Sequence, residues 1–498
     1  MTPVERELKL TAAPTFQMPS LEGLADGIRA VPSEAERLWT TYFDTDDLRL
    51  ARWGMSMRHR PGQGWTVKLP PARHGGPVLA RPEIPFAGNG DRPPSGAVDL
   101  VRAIVRSSEL HVQTRLDTLR RRIALHDADG ALVADVFDDE VSVLEGQRPA
   151  ATFRELEVEL GDATPPGLLE ALLGLLRDTG ADAPDPTPKY IRSLGSRALG
   201  PLEIEVQDLA ADATSGDVVR AAIAASVVRL IEHDPVVRID EDPEGVHQAR
   251  VATRRLRSDL RTFGSLVDQA WASSLRDELG WIARILGDVR DGDVLLERIR
   301  RNVARLPESS RQSAAHVITV LEAAREDAHD VLLETLRGDR YIELLDRLVS
   351  AANAPDMLDE ARAPARAALP ALVRGPWRAF ERRVEALGTT PSDEDLHDIR
   401  VRTKRVRYAA EAVAPIVEKS AQAFAAAAAG LQEVLGDLND AVVAESWLRD
   451  WATGSRSPSG VFAAGELAWL EREEARRCRA RWRKAWRRLA EPKLRSWM

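Results

Sequence analysis

At about residue 213 the hydrophobic pattern of this chain changes its period, and that change limits the possible folds more than any other feature. Before it, apolar and polar residues alternate in short runs at 5–10, 55–60, 65–69, 112–122 and 154–160. Gly and Pro clusters bound each run, which is the pattern of half-buried strands. Helical spacing interrupts the alternation at about 20–31, 96–107 and 165–180. After 213 the alternation stops. Long stretches follow with apolar residues three and four positions apart, separated by breakers at 240–245, 307–310, 351–355 and 389–392. The expected fold class is multidomain α+β. An N-terminal antiparallel β barrel or tunnel with flanking helices (1–200) precedes a linker (201–212) and an all-α half (213–498).

The length of 498 residues suits several domains, each with its own core. With 44% hydrophobic and 30% charged residues, extensive disorder is excluded. No run of about 18 apolar residues occurs, and the longest oily stretch, 424–431, is mostly alanine, so no transmembrane helix is expected. Residues 1–10 are densely charged and lack the apolar core of a signal peptide. Cys478 is the single cysteine, which excludes an intrachain disulfide and a Cys-rich zinc site. A soluble cytoplasmic protein is expected. Only seven of the 69 basic residues are lysines, and Lys9, Lys68, Lys189 and Lys404 all fall inside the motifs described next.

The helical half contains a duplication. His247, Arg250, Val251, Thr253 and Arg257 are matched by His397, Arg400, Val401, Thr403 and Arg407, 150 residues later. Leu286-Gly287-Asp288 recurs as Leu435-Gly436-Asp437 at an offset of 149. Two copies of one helical bundle, about 213–350 and 360–498, account for this. Val246, Ala249, Thr253, Leu256, Leu260 and Phe263 form a core-facing stripe in the first copy, and Leu396, Ile399, Thr403, Val406, Ala410 and Val413 do so in the second. Beside these lie basic stripes: His247, Arg250, Arg254, Arg257 and Arg261 in one copy, and His397, Arg400, Lys404 and Arg407 in the other. Cations aligned on one face repel unless an anion neutralises them. The neutralising charge is either an acid of a neighbouring helix, with Asp288, Asp291, Asp293, Asp437 and Asp440 available, or a bound phosphate chain.

The HxxRVxTRRLR and HxxRVxTKRVR repeats, each followed by an LGD element, resemble the CHAD family (conserved histidine α-helical domain) over about 213–498. That resemblance implies two four-helix bundles in tandem. It also implies polyphosphate binding by His247, Arg250, Arg254, Arg257, His397, Arg400, Lys404 and Arg407.

In the N-terminal half, charges are sorted by strand. Glu5, Glu7 and Lys9 share one face, as do Glu155, Glu157 and Glu159 with Leu156, Val158 and Leu160 opposite. Arg58 and Arg60, Lys68, and Arg115, Arg120 and Arg122 lie on three further strands, with Asp135, Asp138 and Asp139 on another. Each alone reads as an amphipathic strand with a solvated face. Together, in a closed sheet, they would form a tunnel with a cationic wall for phosphates and an acidic wall for a hard divalent cation. Clustered glutamates without a cation repel one another.

Glu5-Arg6-Glu7-Leu8-Lys9 is also an ExExK signature. With Tyr42-Phe43-Asp44-Thr45, Arg58-His59-Arg60, Trp65-Thr66-Val67-Lys68, the 154–160 strand and Pro188-Lys189-Tyr190, it resembles the CYTH family over about 1–200. Those triphosphate tunnel metalloenzymes include thiamine triphosphatases, inorganic triphosphatases and class IV adenylyl cyclases. The resemblance implies Glu5, Glu7, Glu155, Glu157 and Glu159 as ligands of Mg²⁺ or Mn²⁺. It further implies Lys9, Arg58, Arg60, Lys68, Arg120, Arg122 and Lys189 as triphosphate ligands, and Glu5, Glu7 and Lys9 as the catalytic set. The expected function is Mg²⁺-dependent hydrolysis of inorganic triphosphate joined to inorganic polyphosphate binding, with possible association with polyphosphate granules. The alternatives are a non-catalytic polyphosphate-binding protein, and a hydrolase of thiamine triphosphate or nucleoside triphosphates. Nucleic acid is a less apt partner. The net charge is −9, and in the basic stretch 472–488 Trp482, Trp486 and Leu489 fall at core spacing.

Overall fold

The computed structural model describes residues 4–71 and 78–498. The chain divides into two compact units, Met1–Glu203 and Ile204–Met498.

Among the described residues the first unit is built on ten antiparallel strands: β1 (Val4–Ala12), β2 (Arg29–Pro32), β3 (Glu36–Asp44), β4 (Ser56–Arg60), β5 (Gly64–Lys68), β6 (Leu79–Phe86), β7 (His111–His126), β8 (Leu132–Glu145), β9 (Arg148–Leu160) and β10 (Ala181–Pro184). Eight run in the order β1-β6-β5-β4-β3-β7-β8-β9, and β9 pairs back onto β1, so the sheet closes into a barrel. Strand β2 adds to β7, and β10 adds to β1. The period of two then decides what lies inside. Leu8 and Leu10 of β1 and Leu156 and Val158 of β9 point outward into an aliphatic core, and Glu7, Lys9, Glu155 and Glu157 point inward.

Short helices α1 (Arg49–Arg52), α2 (Ser95–Leu100), α3 (Arg102–Val105), α4 (Leu168–Asp178) and α5 (Lys189–Leu194) accompany the barrel. Helix α4 covers the outer aliphatic face with Leu168, Leu172 and Leu176, spaced four apart and at most 1% exposed. Burying each is worth about 1.5–3 kcal/mol. The helix expected at about 20–31 does not form. Gly23 and Gly27 have φ of 70° and 76°, which break a right-handed helix, and Arg29–Pro32 is instead strand β2. Strand β6 contains Pro82 and Pro85. They are tolerated because each half of the strand pairs on one side, 79–82 with β1 and 83–86 with β5.

The second unit is helical. Helices α6 (Ser215–Ile239), α7 (Glu244–Thr262), α8 (Gln269–Val303), α9 (Glu308–Arg337) and α10 (Asp339–Asn353) carry the first copy of the repeat. Helices α11 (Ala365–Glu385), α12 (Asp393–Val417), α13 (Lys419–Gly454) and α14 (Pro458–Leu489) carry the second. Capping boxes start α6 (Thr214 with Asp217) and α12 (Ser392 with Asp395). The core stripes are as expected: Val246, Leu256, Ile399 and Val406 are at most 1% exposed. The repeated threonines Thr253 and Thr403 are fully buried and donate to carbonyls of their own helices. Trp482 is 2% exposed and Trp486 stacks on Trp377 at 5.5 Å, so the aromatics of the basic stretch face the core.

One polar anchor positions helix α5, which carries Lys189. Asp44 is fully buried and accepts hydrogen bonds from the amides of Thr45 (2.7 Å), Leu50 and Ala51 (both 2.9 Å) and from the Tyr190 hydroxyl (2.9 Å). The Tyr190 ring also stacks on Tyr42 at 4.8 Å. Removing this acceptor strands buried donors, so Asp44→Ala is expected to lower unfolding stability by about 3–5 kcal/mol in urea denaturation. A loss under about 1 kcal/mol would show that α5 is held by packing alone.

Candidate functional site

The barrel interior encloses a cavity of about 120 Å³ whose wall is almost entirely charged. Register explains the convergence. Glu7 lies opposite Glu159 and Lys9 opposite Glu157 across the β1–β9 seam, while Arg120 lies opposite Asp139 across β7–β8. Lys9 contacts Glu157, Glu7 (2.8 Å) and Glu155 (3.8 Å). Lys189 reaches in from α5 to Glu155 (2.7 Å), Glu157 (2.9 Å) and Asp139 (3.0 Å). Arg120 binds Asp139 through two bonds (2.9 and 2.7 Å) and Glu157 through a third (2.6 Å), with its guanidinium over the Phe137 ring. Burial would push the Glu157 carboxyl upward, yet Lys189, Lys9 and Arg120 hold it well below the usual range. Lys9, also opposed by burial, is held well above the usual lysine value by Glu157, Glu7 and Glu155.

Toward the other end of the cavity the balance differs. Lys68 meets Glu5 (2.7 Å) and Glu83, and Arg58 meets Glu83 (3.3 Å). The Glu5 carboxyl shares hydrogen bonds with those of Glu83 and Glu159. Burial, the Glu5 hydrogen bond and the Glu5 charge push Glu159 up to about 9. Arg60 donates to Thr40 (3.0 Å) and Gln63 (3.5 Å). Among the described residues it has no carboxylate partner, and burial with repulsion from Arg58 and Arg120 lowers it to about 10.

The structure therefore gathers Glu5, Glu7, Lys9, Arg58, Arg60, Lys68, Arg120, Glu157, Glu159 and Lys189 around one space, with Glu155 immediately behind Lys9 and Lys189. Arg122 is apart from it, half-exposed and paired with Asp135 (2.8 and 2.9 Å). Of the three aspartates of β8, Asp139 faces in, whereas Asp138 pairs with Arg154 away from the cavity. Glu83, Arg81, Tyr42 and Ser56 complete the site and were not singled out in the sequence as ligands. Arg81 and Glu83 do alternate, but the prolines beside them mask the strand.

The residues fit a divalent cation in a limited sense. Among the described residues no three acidic or imidazole groups form a ready-made cage. Glu7 is 1% exposed with neither oxygen in a directed hydrogen bond, and the Glu5 and Glu159 carboxyls crowd one another in a way that a cation would relieve. One or two carboxylates together with phosphate oxygens suit Mg²⁺.

The helical unit holds a larger cavity of about 560 Å³. Both copies of the repeat contribute: His247, Arg250 and Arg254 from α7, and His397, Arg400 and Lys404 from α12. Arg290 and Arg298 of α8 join them, a contribution that the α7 stripe alone does not reveal. The LGDxxD segments, 286–291 and 435–440, supply part of the counter-charge. Arg250 pairs with Asp291 (2.7 Å), Arg400 is 4.0 Å from Asp440, and His397 Nδ1 is 2.8 Å from Asn439 Oδ1. Arg254 and Lys404 have no carboxylate partner among the described residues. Burial, then the charges of Arg400, Arg254 and Arg250, lower Lys404 to about 7. His247 is lowered by burial and Arg290. Arg257 and Arg407 do not line this cavity. Arg257 rests against Gly280, and Arg407 binds Glu411 (2.7 Å).

Comparison with known proteins gives the following. The CYTH domain model matches residues 3–191 and the CHAD domain model matches residues 221–449. Uncharacterized proteins from the CDC 1551 / Oshkosh and H37Rv strains of Mycobacterium tuberculosis are each 32% identical over 523 residues, spanning 98% of this chain and 96% of theirs. Among solved structures, PptA from Streptomyces chartreusis is 23% identical with a TM-score of 0.48, over 55% of this chain and all of that one. The CHAD domain from the plant Ricinus communis is 24% identical with a TM-score of 0.46, over 57% of this chain and 96% of that one.

The crowding around Lys404 has a thermodynamic consequence. Its folded value of about 7 lies below the ordinary 10.5, so between these pH values the unfolded chain binds the extra proton. Stability is therefore expected to rise with pH over that window, by at most about 1.4 kcal/mol per pH unit, and Lys404→Met removes that slope. Urea denaturation of both proteins at pH 7 and pH 9 checks it. Identical slopes would mean that Lys404 keeps its proton in the fold.

Proposed function

We propose that this chain, which belongs to the family of proteins in which a CYTH domain is followed by a CHAD domain, hydrolyses inorganic triphosphate in its barrel and binds inorganic polyphosphate on its helical unit. The observation that carries the reading is Arg60. It is a half-buried guanidinium inside a closed barrel, repelled by Arg58 and Arg120, with no carboxylate partner among the described residues. A phosphate oxygen is the partner such a group lacks.

Triphosphate binding is then an exchange of ion pairs. Lys9, Arg58, Lys68, Arg120 and Lys189, now held by carboxylates, turn to phosphate oxygens, and Arg60 gains its first anion. The glutamates so released, Glu5, Glu7, Glu155, Glu157 and Glu159, would hold the divalent cation on which CYTH tunnel metalloenzymes depend, Mg²⁺ in this reading. When bound, that cation supplies charge neutralisation and polarises the phosphoryl group. The chain's own residues do the rest. The guanidinium and ammonium groups fix the three phosphates along the tunnel and stabilise the charge that builds on the leaving phosphate. A water attacks the terminal phosphorus in line, the P–O bond to the leaving group breaks, and orthophosphate and pyrophosphate result. No covalent enzyme intermediate is needed.

In the helical unit Arg254, Arg400 and Lys404 converge from two helices; Asp291, Glu433, Asp437 and Asp440 also line the cavity, yet among the described residues Arg254 and Lys404 have no carboxylate within ion-pair distance, which suits a linear polyanion. Both sites thus recognise chains of phosphoanhydrides, one cleaving and one holding them.

Phosphate release from tripolyphosphate with Mg²⁺ tests the barrel. Wild type is expected to turn over, Arg60→Ala to lose about 100-fold or more in kcat/KM, and Glu5→Gln/Glu7→Gln to fall further while retaining polyphosphate on the helical unit. A folded wild-type protein that retains polyphosphate but releases no phosphate with Mg²⁺ or Mn²⁺ would instead make the chain a binding protein. Turnover confined to thiamine triphosphate or nucleoside triphosphates would reassign the substrate.

A further inference from the structure

Helix α5 aims two cations at one glutamate. Lys189 and Arg192 are three residues apart and so share one face of the helix. Their common partner is Glu155 of β9, which is fully buried. Lys189 donates to its Oε1 (2.7 Å), and Lys9 stands 3.8 Å from the same oxygen. Oε2 is left to Arg192, whose Nε lies 3.6 Å away. That spacing is an ion pair, yet about 0.7 Å longer than a charge-assisted hydrogen bond. Both atoms are enclosed, and neither has a hydrogen-bond partner. A buried donor and a buried acceptor thus face each other across a gap that a small movement of either side chain would close.

Arg192 differs from the other cations of the interior in one respect. Lys9, Arg58, Arg60, Lys68, Arg120 and Lys189 line the cavity, whereas Arg192 does not. It is held behind the wall. Asp185 accepts from its Nη2 (2.9 Å), and its guanidinium carbon lies 5.6 Å from the centroid of the Phe153 ring. The Asp185 amide in turn donates to the Lys9 carbonyl (2.9 Å), so the Arg192–Asp185 pair is tied to β1. Among the described residues Glu157 has no such reserve. Lys9, Arg120 and Lys189 hold it, and all three face the cavity.

We propose that Arg192 is a positioning residue of the barrel: when triphosphate draws Lys189 and Lys9 away from Glu155, Arg192 closes on Oε2 and keeps the carboxylate paired, which makes the two lysines available to phosphate. This deepens the triphosphate reading of the barrel and rests on it. Without that second cation the exchange would strand a buried charge, and binding would weaken. Asp185 competes for the same guanidinium, so the strength of the Arg192–Asp185 pair sets how readily Arg192 moves. Arg192 touches no substrate. It acts through Lys189 and Lys9 on the affinity for triphosphate, before a divalent cation takes up the released carboxylates.

The test is equilibrium binding of tripolyphosphate to the full-length protein in EDTA, for wild type, Arg192→Gln, Arg192→Lys and Asp185→Asn. Binding abolished by Arg60→Ala is assigned to the barrel, and urea unfolding checks each fold. Asp185→Asn keeps an acceptor for the Thr187 amide (2.9 Å) while removing the charge that restrains Arg192. The expected result is a loss of about tenfold or more in Arg192→Gln, affinity within about threefold of wild type in Arg192→Lys, and about two- to fivefold tighter binding in Asp185→Asn. Turnover with Mg²⁺ is expected to show the same pattern in KM, with kcat changed by less than about twofold. A purely structural pair predicts instead that Arg192→Gln and Asp185→Asn lose stability and affinity together. That outcome, or unchanged affinity in Arg192→Gln, overturns the proposal. A wild-type protein without Arg60-dependent tripolyphosphate binding overturns the barrel reading itself, a result distinct from these.

Discussion

Glu157 is 5% exposed inside the barrel, and it remains a carboxylate because three cations converge on it. That requirement organises the whole interior of the first unit. Lys9 must come from β1, Arg120 from β7 and Lys189 from α5, so the barrel has to close and α5 has to dock before the charges balance. Leaving any one of them unpartnered in a low-dielectric site would cost several kcal/mol. Asp44 belongs to the same logic, since its four accepted hydrogen bonds tie α5 to the end of β3. The aliphatic layer under α4 supplies the stability against which this polar interior is maintained.

The two units solve one problem in opposite ways. In the barrel nearly every cation has an acid, and the resting state is a closed network that a ligand must open by exchange. In the helical cavity Asp291, Glu433, Asp437 and Asp440 offset only part of the positive charge, and the repulsion that remains lowers proton affinity, most clearly at Lys404. A network of paired charges suits a site that must bind a highly charged substrate and release its products. A field of cations only partly paired suits retention of a polymer.

Much of the architecture was legible because periodicity is local. Alternation placed β1, β4, β5, β7 and β9, and the inward set Glu5, Glu7, Lys9, Arg58, Arg60 and Lys68 followed from parity within each strand. Glu83 escaped because Pro82 and Pro85 hide a strand whose halves pair on different sides, a fact of pairing and not of propensity. The helix expected at 20–31 failed because two glycines take positive φ, and that conformation depends on the turn into β2. Arg122 shares parity with Arg120, yet it lies at the barrel mouth beside Asp135, and parity carries no information about depth along the axis.

What the sequence determined alone was the change of period near residue 213, the duplication, and which face of each strand or helix carries charge. These follow from the fixed repeats of the backbone, 2.0 and 3.6 residues, and need no knowledge of neighbours. Tertiary structure decided which charges meet. Whether Arg257 lines the cavity or leaves it and which cation each glutamate holds both depend on crossings between segments distant in the chain. Coulomb energy and desolvation act across space, so a pattern along the chain names the participants and only their packing pairs them.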